Sequence, residues 1–506
     1  MVVLGAGPGG YRAAFMAADL GMKVTLVDAQ SNPGGVCLYR GCIPTKALLH
    51  LAKVKEEAHK AAAWGMTFEE PKIDREKVKS WKDSVVKQLT GGLGQLVKAR
   101  KIQYIQGWAE LIDSHTMSIK AGGQEGKKAE GKAGGQEGRK AEGKEEEGEN
   151  KVIKFKHLIV ATGASPVRLP FVKEYSDRVM NAEIALDLRS IPERLLVIGG
   201  GYIGMESATI YRALGSKVSL VEATPGVMPT MDPELVNLYM RANKGMFEES
   251  FFSTLVEQLE EKEDGVKVVM RRIVGGETSE NGEKSETGGV FEREYDAVLI
   301  SVGMRPNSGG IGLERAGVKL DQRGFIKVDL QNRTNVPHIF AIGDVAGGML
   351  LAHKASAEGR VAAEAIAGKK TIFDARAIPA VVYTDPEIAW AGLTEQECKD
   401  RGMKVRTAKF PWAASGRAVA NGDTTGLTKL VVEEETEIVV GAGIIGKGAG
   451  DLISELVLAI EMAARVSDIA LTIHPHPTVS ETVMEVAELY MGHPVHVVPK
   501  KEERGL

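Results

Sequence analysis

Cysteine is nearly absent from this sequence: 506 residues carry three, Cys37, Cys42 and Cys398. A chain this long builds its own core, so a disulfide framework is excluded both by number and by need. Charge of one sign is not in excess either. The formal net charge of −4 and a pI near 6.3 leave no basic field for nucleic acid or for an anionic membrane. Apolar runs are short, and none approaches the length of a membrane span. No leader precedes the first motif, because MVVLGAGPGG enters it at once, so the expectation is a cytoplasmic protein with reduced thiols. What is present is ordinary globular composition, enough for roughly three domains.

Two segments share one design. Residues 2–4 are apolar, Gly5, Gly7 and Gly10 follow, an apolar helical pattern runs to Leu20, and KVTLVD ends at Asp28. Residues 195–222 repeat the order: LLVIGG, then Gly199, Gly201 and Gly204, a helix through Leu214, and KVSLVE ending at Glu222. Strand, glycine turn, helix, strand is the arrangement that binds a dinucleotide. The first glycine permits the tight turn, the second lets a pyrophosphate approach the backbone, and the third lets helix and strand pack closely. The pyrophosphate sits at the helix N-terminus, where unpaired N–H groups and the dipole favour an anion. Asp28 and Glu222 stand where a carboxylate accepts ribose hydroxyls. A carboxylate at 222 would also repel a 2′-phosphate, which favours NAD over NADP.

Between Lys120 and Lys151 the composition collapses to small and charged residues, and AGGQEGKKAEGK (121–132) recurs as AGGQEGRKAEGK (133–144). Without a large aliphatic or aromatic residue it has too little surface to bury, so 121–148 is read as a disordered insertion on the surface. GGETSENGEKSETGG (275–289) reads as a long hairpin loop. From about Ala377 the glycine fingerprints stop, and strand patterns such as LTKLVVEE, taken as alternating, lead to a helix-rich end that forms a third domain.

Two of the three cysteines fall in GGVCLYRGCIPTKALLH, residues 34–50. Five residues apart on a regular helix, their Cα atoms would be roughly 8 to 9 Å apart, beyond the span of a disulfide. They bridge only if the segment is distorted; Gly34, Gly35 and Gly41 supply the freedom, and Pro44 disfavours helical geometry at Ile43. A small strained loop of this kind is a redox disulfide. Two alternatives stand beside it: a metal site, which lacks a second Cys or His pair at zinc-like spacing, and two buried structural thiols.

That segment resembles the active-site stretch of the FAD-dependent pyridine nucleotide-disulfide oxidoreductases. ATGASP (161–166), GGGYIGME (199–206), FAIGDVAGGMLLAHKASAEG (340–359), YTDPEIAWAGLTE (383–395) and HPHPTVSE (474–481) resemble the same family in the same order. The resemblance implies an α/β fold with two Rossmann-like domains and a C-terminal α+β interface domain. Residues 1–172 and 305–375 would form the FAD-binding domain, 173–304 the NAD-binding domain, and 376–506 the interface and dimerisation domain. FAD would be held by Gly5, Gly7, Gly10, Asp28, Lys46, Ala109, Thr162, Gly163, Asp344 and Ala352. NAD would be held by Gly199, Gly201, Tyr202, Gly204, Glu222 and Gly303, with Tyr202 an aromatic gate over the flavin.

By the same resemblance the catalytic residues are Cys37, Cys42, Lys46, Glu206, His476 and Glu481, with no metal. Cys37 would exchange with substrate, and Cys42 would face the flavin. Lys46 would sit near the flavin N5 with Glu206 as its partner, and His476 would be the acid/base, oriented by Glu481 and supplied by the other subunit of a homodimer. His474 is expected to be structural, and Cys398 has no assigned role. His353 in LAHKA is similar to the family branch that oxidises protein-bound dihydrolipoamide with NAD, so the partner would be a lipoylated acyltransferase or a glycine-cleavage H protein. Rival readings are a glutathione reductase, which favours NADP, a mercuric reductase, which carries a C-terminal cysteine pair not seen in VHVVPKKEERGL, and a flavoprotein kept only as an interaction subunit. Tyr39 and Arg40 replace residues common in the family, and the expectation is a more positive field at the cysteines.

Overall fold

The first fingerprint folds as strand Val2–Leu4, helix Pro8–Asp19 and strand Thr25–Asp28, and the second as strand Arg194–Ile198, helix Tyr202–Leu214 and strand Lys217–Val221. The computed structural model describes residues 1–121, 150–273 and 288–498. Val2–Leu4 lies inside a seven-stranded sheet, parallel to Leu158–Val160 on one side and to Thr25–Asp28 on the other. Ile339–Ala341 closes one edge, so two separated stretches of chain build this unit. Beyond Thr25–Asp28 come Gln103–Leu111, Thr116–Ala121 and Lys151–Lys154. The last two pair antiparallel and flank the repeat. Ala121, expected to open the insertion, is the final residue of a strand; the expectation for 122–148 lies outside the described residues.

The second fingerprint sits in a five-stranded sheet ordered Ser250–Phe251, Lys217–Val221, Arg194–Ile198, Ala297–Ile300, Val179–Asn181, with every pairing parallel. Strands Thr254–Glu261, Val266–Arg272 and Val290–Tyr295 form an antiparallel sheet beside it. Val266–Arg272 and Val290–Tyr295 are the two arms around the 275–289 stretch, of which 275–287 lie outside the described residues. The sheet of the third unit is wholly antiparallel and runs Ala380–Val382, Glu387–Gly392, Val439–Gly446, Leu427–Glu433, Val405–Pro411. Helices Ala449–Glu461 and Glu481–Tyr490 bury their apolar faces against it. LTKLVVEE is not an alternating strand: every residue from Thr428 to Val432 is buried. The strand is central and covered on both sides, so it lacks a solvent face.

Helix Cys42–Lys60 fixes the site relative to these sheets. Leu48 and Leu49 on it are buried in one cluster with Leu195, Val197, Met205 and Leu214 of the second unit and with Val382, Ile388 and Ile445 of the third. Each such side chain contributes about 1.5 to 3 kcal/mol on burial. The helix is thus anchored where the three units meet, with Cys42 at its N-terminus.

Candidate active site

Cys37 lies on the short helix Gly35–Arg40, and Cys42 opens the next helix. The break between them is at Gly41 (φ −137°, ψ −113°). It is not at Ile43, where Pro44 was expected to force it; Pro44 falls in the first helical turn, where a missing N–H costs nothing. Cys37 and Cys42 are both free thiols, the reduced form of the redox pair the sequence suggested. The Cys37 thiol donates a hydrogen bond to Cys42, and this is the largest influence on each. It pushes Cys37 far above the ordinary thiol range, with burial adding to the rise. It pulls Cys42 down to about 7 against burial, with Lys46 helping and Glu206 opposing. The pair therefore holds its shared proton on Cys37 and its negative charge on Cys42.

One turn further, Lys46 Nζ donates to both carboxylate oxygens of Glu206 at 2.9 Å. Glu206 is buried on helix Tyr202–Leu214, where an unpaired carboxylate would cost several kcal/mol. A third hydrogen bond reaches it, from the Tyr383 N–H, 3.0 Å from Oε1. The Tyr383 ring also lies 4.5 Å from Lys46 Nζ, so one residue braces both partners. Sequence reasoning gave Tyr383 no role, although it opens the quoted YTDPE motif. The positive field expected from Arg40 goes elsewhere. Arg40 pairs with Glu183 at 3.3 Å, the Tyr39 hydroxyl donates to Asn32 O at 3.0 Å, and the cation with the largest effect on both cysteines is Lys46.

Tyr202 begins the second fingerprint helix, and its phenol is pushed up to about 12 by burial first and then by the negative charges of Asp344, Glu206 and Cys42. The residue nevertheless keeps 42% of its surface exposed. Asp344, in the turn Gly343–Ala346, is itself raised, by burial first, with Lys354 opposing. Thr162 and Gly163 are clamped by a residue the sequence did not flag, Asn307: Thr162 Oγ1 donates to Asn307 O at 2.8 Å, Asn307 Nδ2 to Thr162 O at 3.0 Å, and Asn307 N–H to Gly163 O at 2.9 Å. Ala352 is the first residue of helix Ala352–Ile366, and Gly303 O accepts the Val167 N–H at 2.9 Å. Ala109 lies on strand Gln103–Leu111. Its side chain is packed in the interior with Leu111, Met117 and Ile119, which leaves only its backbone to meet a ligand.

The two glycine loops fit a dinucleotide in the same way. A Cβ on Gly10 would strike Gly5 O at 1.9 Å and one on Gly204 would strike Gly199 O at 2.0 Å, whereas at Gly7 the nearest atom is 3.8 Å away and at Gly201 nothing lies within 4 Å. The third glycine is therefore the packing glycine, and the second faces open space. The helices that follow have no side-chain cap, so their first N–H groups remain available to an anion. Asp28 accepts the Ala6 N–H at 2.6 Å and the Gln30 N–H at 2.8 Å. Glu222 accepts the Gly200 N–H at 2.6 Å and the Thr224 N–H at 2.8 Å.

His476 stands apart from this cluster. Its Nδ1 lies 2.9 Å from Glu481 Oε1, and Glu481 Oε2 accepts the Thr478 N–H at 2.8 Å. Burial pushes Glu481 up, but the Thr478 N–H and His476 outweigh it and hold the carboxyl below its usual range. With Nδ1–H donating to that carboxylate, Nε2 is free to accept a proton. The His476 side chain is 78% exposed, and among the described residues no hydrogen bond or ion pair joins it to Cys37 or Cys42. Leu471 and Ile473 beside it are 79% and 94% exposed. His474 is different: its side chain is buried, with Nε2 2.9 Å from Glu455 and Nδ1 2.8 Å from Thr472 O. Cys398 is fully buried, and His353 Nε2 lies 2.6 Å from Pro379 O. Asp232, Glu234 and Glu395 have a metal-like spacing, but Lys429 Nζ fills it at 2.7, 2.7 and 2.6 Å.

Comparison with known proteins gives a consistent picture. Residues 1–359 match the family model of pyridine nucleotide-disulphide oxidoreductases, and residues 378–487 match the dimerisation domain of the same family. The dihydrolipoyl dehydrogenase of Vibrio parahaemolyticus is 45% identical over 501 residues, covering 99% of this chain and 97% of that one. That of Geobacillus stearothermophilus is 44% identical, covering 99% and 97%. Among solved structures, LpdA from Mycobacterium tuberculosis superposes with a TM-score of 0.83 at 25% identity, covering 96% of this chain and 98% of that one. No helix among the described residues is long and apolar enough to cross a membrane.

Proposed function

Because the chain belongs to the pyridine nucleotide-disulphide oxidoreductase family, whose members use FAD and NAD(H), we propose that it oxidises protein-bound dihydrolipoamide to lipoamide and reduces NAD⁺ to NADH. The observation that carries this reading is the Cys37–Cys42 pair, poised with its proton on one sulfur and its charge on the other, beside the Lys46–Glu206 pair. In the oxidised pair a substrate thiolate attacks Cys37 Sγ, the bond to Cys42 breaks, and Cys42 leaves as the thiolate. The second substrate thiol then attacks its mixed disulfide, releases lipoamide, and leaves Cys37 as the thiol. Two electrons have passed from substrate to the cysteine pair. Bound FAD supplies the two-electron link between such a dithiol and a nicotinamide.

The other residues serve these steps by position and charge. His476 Nε2 takes the substrate thiol proton while Glu481 fixes the tautomer and stabilises the imidazolium. Lys46 holds a positive charge near Cys42, and Glu206 and Tyr383 hold Lys46 in place. Gly5, Gly7, Gly10, Asp28, Thr162, Gly163 and Asp344 would hold FAD, and Gly199, Gly201, Gly204 and Glu222 would hold NAD, with Tyr202 gating its approach.

The match of residues 378–487 to the family's dimerisation domain supports a homodimer. The exposure of His476, a few residues after the exposed Leu471 and Ile473, supports a site completed by the second subunit. A lipoylated acyltransferase or glycine-cleavage H protein is the partner this chemistry calls for, and the cytoplasm is the compartment that suits a reducible thiol pair. The test is NAD⁺ reduction by free dihydrolipoamide with the purified FAD-loaded chain. Cys42→Ser must abolish it while NADH oxidation by a one-electron acceptor persists. Dihydrolipoamide turnover surviving that substitution would refute the reading.

A further inference from the structure

Helix Ala352–Ile366 carries an ion pair that none of these steps uses. Lys354 Nζ lies 2.7 Å from Glu358 Oε1, and each side chain is 6% exposed. Burying such a pair contributes little to stability, because desolvation offsets the attraction. Its remaining hydrogen-bonding capacity is spent on a single turn. Glu358 Oε2 accepts the Gly343 N–H at 2.7 Å, and Lys354 Nζ donates to Gly347 O at 2.8 Å. Gly343 and Gly347, at φ +72° and +82°, bracket Asp344. The pair therefore staples both ends of the turn that presents this carboxylate. The same helix touches the first glycine unit: a Cβ on Gly359 would meet Gly9 O at 2.6 Å, and Ser356 Oγ lies 3.3 Å from Pro8 O.

We propose that Lys354 and Glu358 are positioning residues for the flavin half of FAD, which set the Asp344 turn at a fixed distance from the pyrophosphate helix. The proposal rests on the assignment of Asp344 to the flavin. It gives the pair a specific consequence: losing it weakens binding of the ribityl and isoalloxazine portion and leaves the adenosine portion, held at Asp28, untouched. Lys354 acts on Asp344 in charge as well as in place, since its ammonium opposes the burial that raises that carboxyl.

The test uses the FAD-loaded full chain, with flavin fluorescence reporting release and ADP as a competitor for the adenosine half. Losing one charge-assisted hydrogen bond corresponds to about a tenfold to hundredfold loss of FAD affinity. In Lys354→Met and in Glu358→Gln, the ADP concentration that displaces half the FAD should fall by the same factor. General loosening of the domain would weaken FAD and ADP together and leave that concentration unchanged. That result overturns the proposal, as does unchanged FAD affinity. If Lys354→Met does not fold, Glu358→Gln decides by the same measurement, since its amide oxygen can still accept the Gly343 N–H while its NH2 group replaces the oxygen that met Lys354 and so breaks the pair. Asp344→Asn separates the two levels: FAD affinity unchanged there removes the flavin assignment itself, whereas weakening there with none in the Lys354 and Glu358 variants removes the staple alone.

Discussion

Replacing Cys37 by alanine removes the largest influence on Cys42, the hydrogen bond that holds its thiol at about 7. The influences left behind oppose one another: burial and Glu206 push upward, Lys46 and a backbone N–H pull downward. Cys42 should therefore return to near its ordinary value of 9.0, a hundredfold weaker acid. At pH 7 the thiolate fraction drops from about one half to about one hundredth. Nucleophilicity rises with basicity, by about sixfold to tenfold over that range, so the net loss of reactivity is smaller than the loss of thiolate. Alkylation of Cys42 by iodoacetamide, read by peptide mass after full reduction, should be about sixfold slower in Cys37→Ala at pH 7 and about sevenfold faster at pH 10. The two pH profiles must cross. Cys398 does not compete, because it is fully buried. Cys37→Ser, whose hydroxyl can donate the same bond, should track the wild type. Superimposable profiles for Cys37→Ala and the wild type would show that the neighbouring thiol does not set the charge on Cys42.

Four other outcomes follow from the same geometry. Glu481→Gln keeps a hydrogen bond to His476 and loses the carboxylate charge, so kcat for dihydrolipoamide should fall by about tenfold to a hundredfold, with a larger loss in His476→Ala; equal rates in Glu481→Gln and wild type would remove the orienting role. Glu222 should make kcat/KM higher with NAD⁺ than with NADP⁺, and Glu222→Gln should narrow the gap; parity in the wild type contradicts the assignment. Mixing Cys37→Ser with His476→Ala subunits under conditions of exchange should restore about a quarter of wild-type activity, because half the dimers are mixed and each carries one intact shared site. No recovery despite demonstrated exchange would place His476 in its own chain's site. Lys429→Met strands Asp232, Glu234 and Glu395 without their shared ammonium, which should destabilise the fold by about 3 to 5 kcal/mol and lower the melting temperature by several degrees; an unchanged melt would show that the triad is relieved by water.

The parts of the fold that could be read directly were those in which spacing alone determines geometry. Glycines at fixed offsets between an apolar strand and an apolar helix permit few structures, and both units form as the pattern requires. The residues that escaped notice are those whose partners are remote in sequence. Tyr383 reaches Glu206 across 177 positions, and Asn307 reaches Thr162 across 145. Nothing local marks Asn307, and Tyr383 is marked only as the first residue of the YTDPE motif. The strand that holds Lys429, expected to alternate, departs from that pattern for a related reason. A strand with a lysine in it looks half-exposed, but this strand is central in its sheet, and its charge is met by carboxylates from another unit and from a distant helix. Ile43 shows the opposite error, in which a sound local rule about proline was applied although the chain already had a cheaper place to bend at Gly41.

The two dinucleotide loops show how much a shared pattern leaves to local detail. A carboxylate has about four acceptor positions. Asp28 spends two, on Ala6 and Gln30, and keeps two for a ribose diol. Glu222 spends two on Gly200 and Thr224 N–H groups, and the Thr224 hydroxyl stands 2.9 Å away as a third claimant. That hydroxyl has one proton, and Gly226 O lies nearer, at 2.7 Å. Directed there, it leaves Glu222 with the same two positions as Asp28. In each unit the loop's own N–H groups hold the carboxylate before any ligand arrives, so little side-chain freedom is lost on binding. With Glu222 on the ribose as proposed, its fixed negative charge would oppose a 2′-phosphate, and the backbone hydrogen bonds that hold the acceptor would set the selectivity as well.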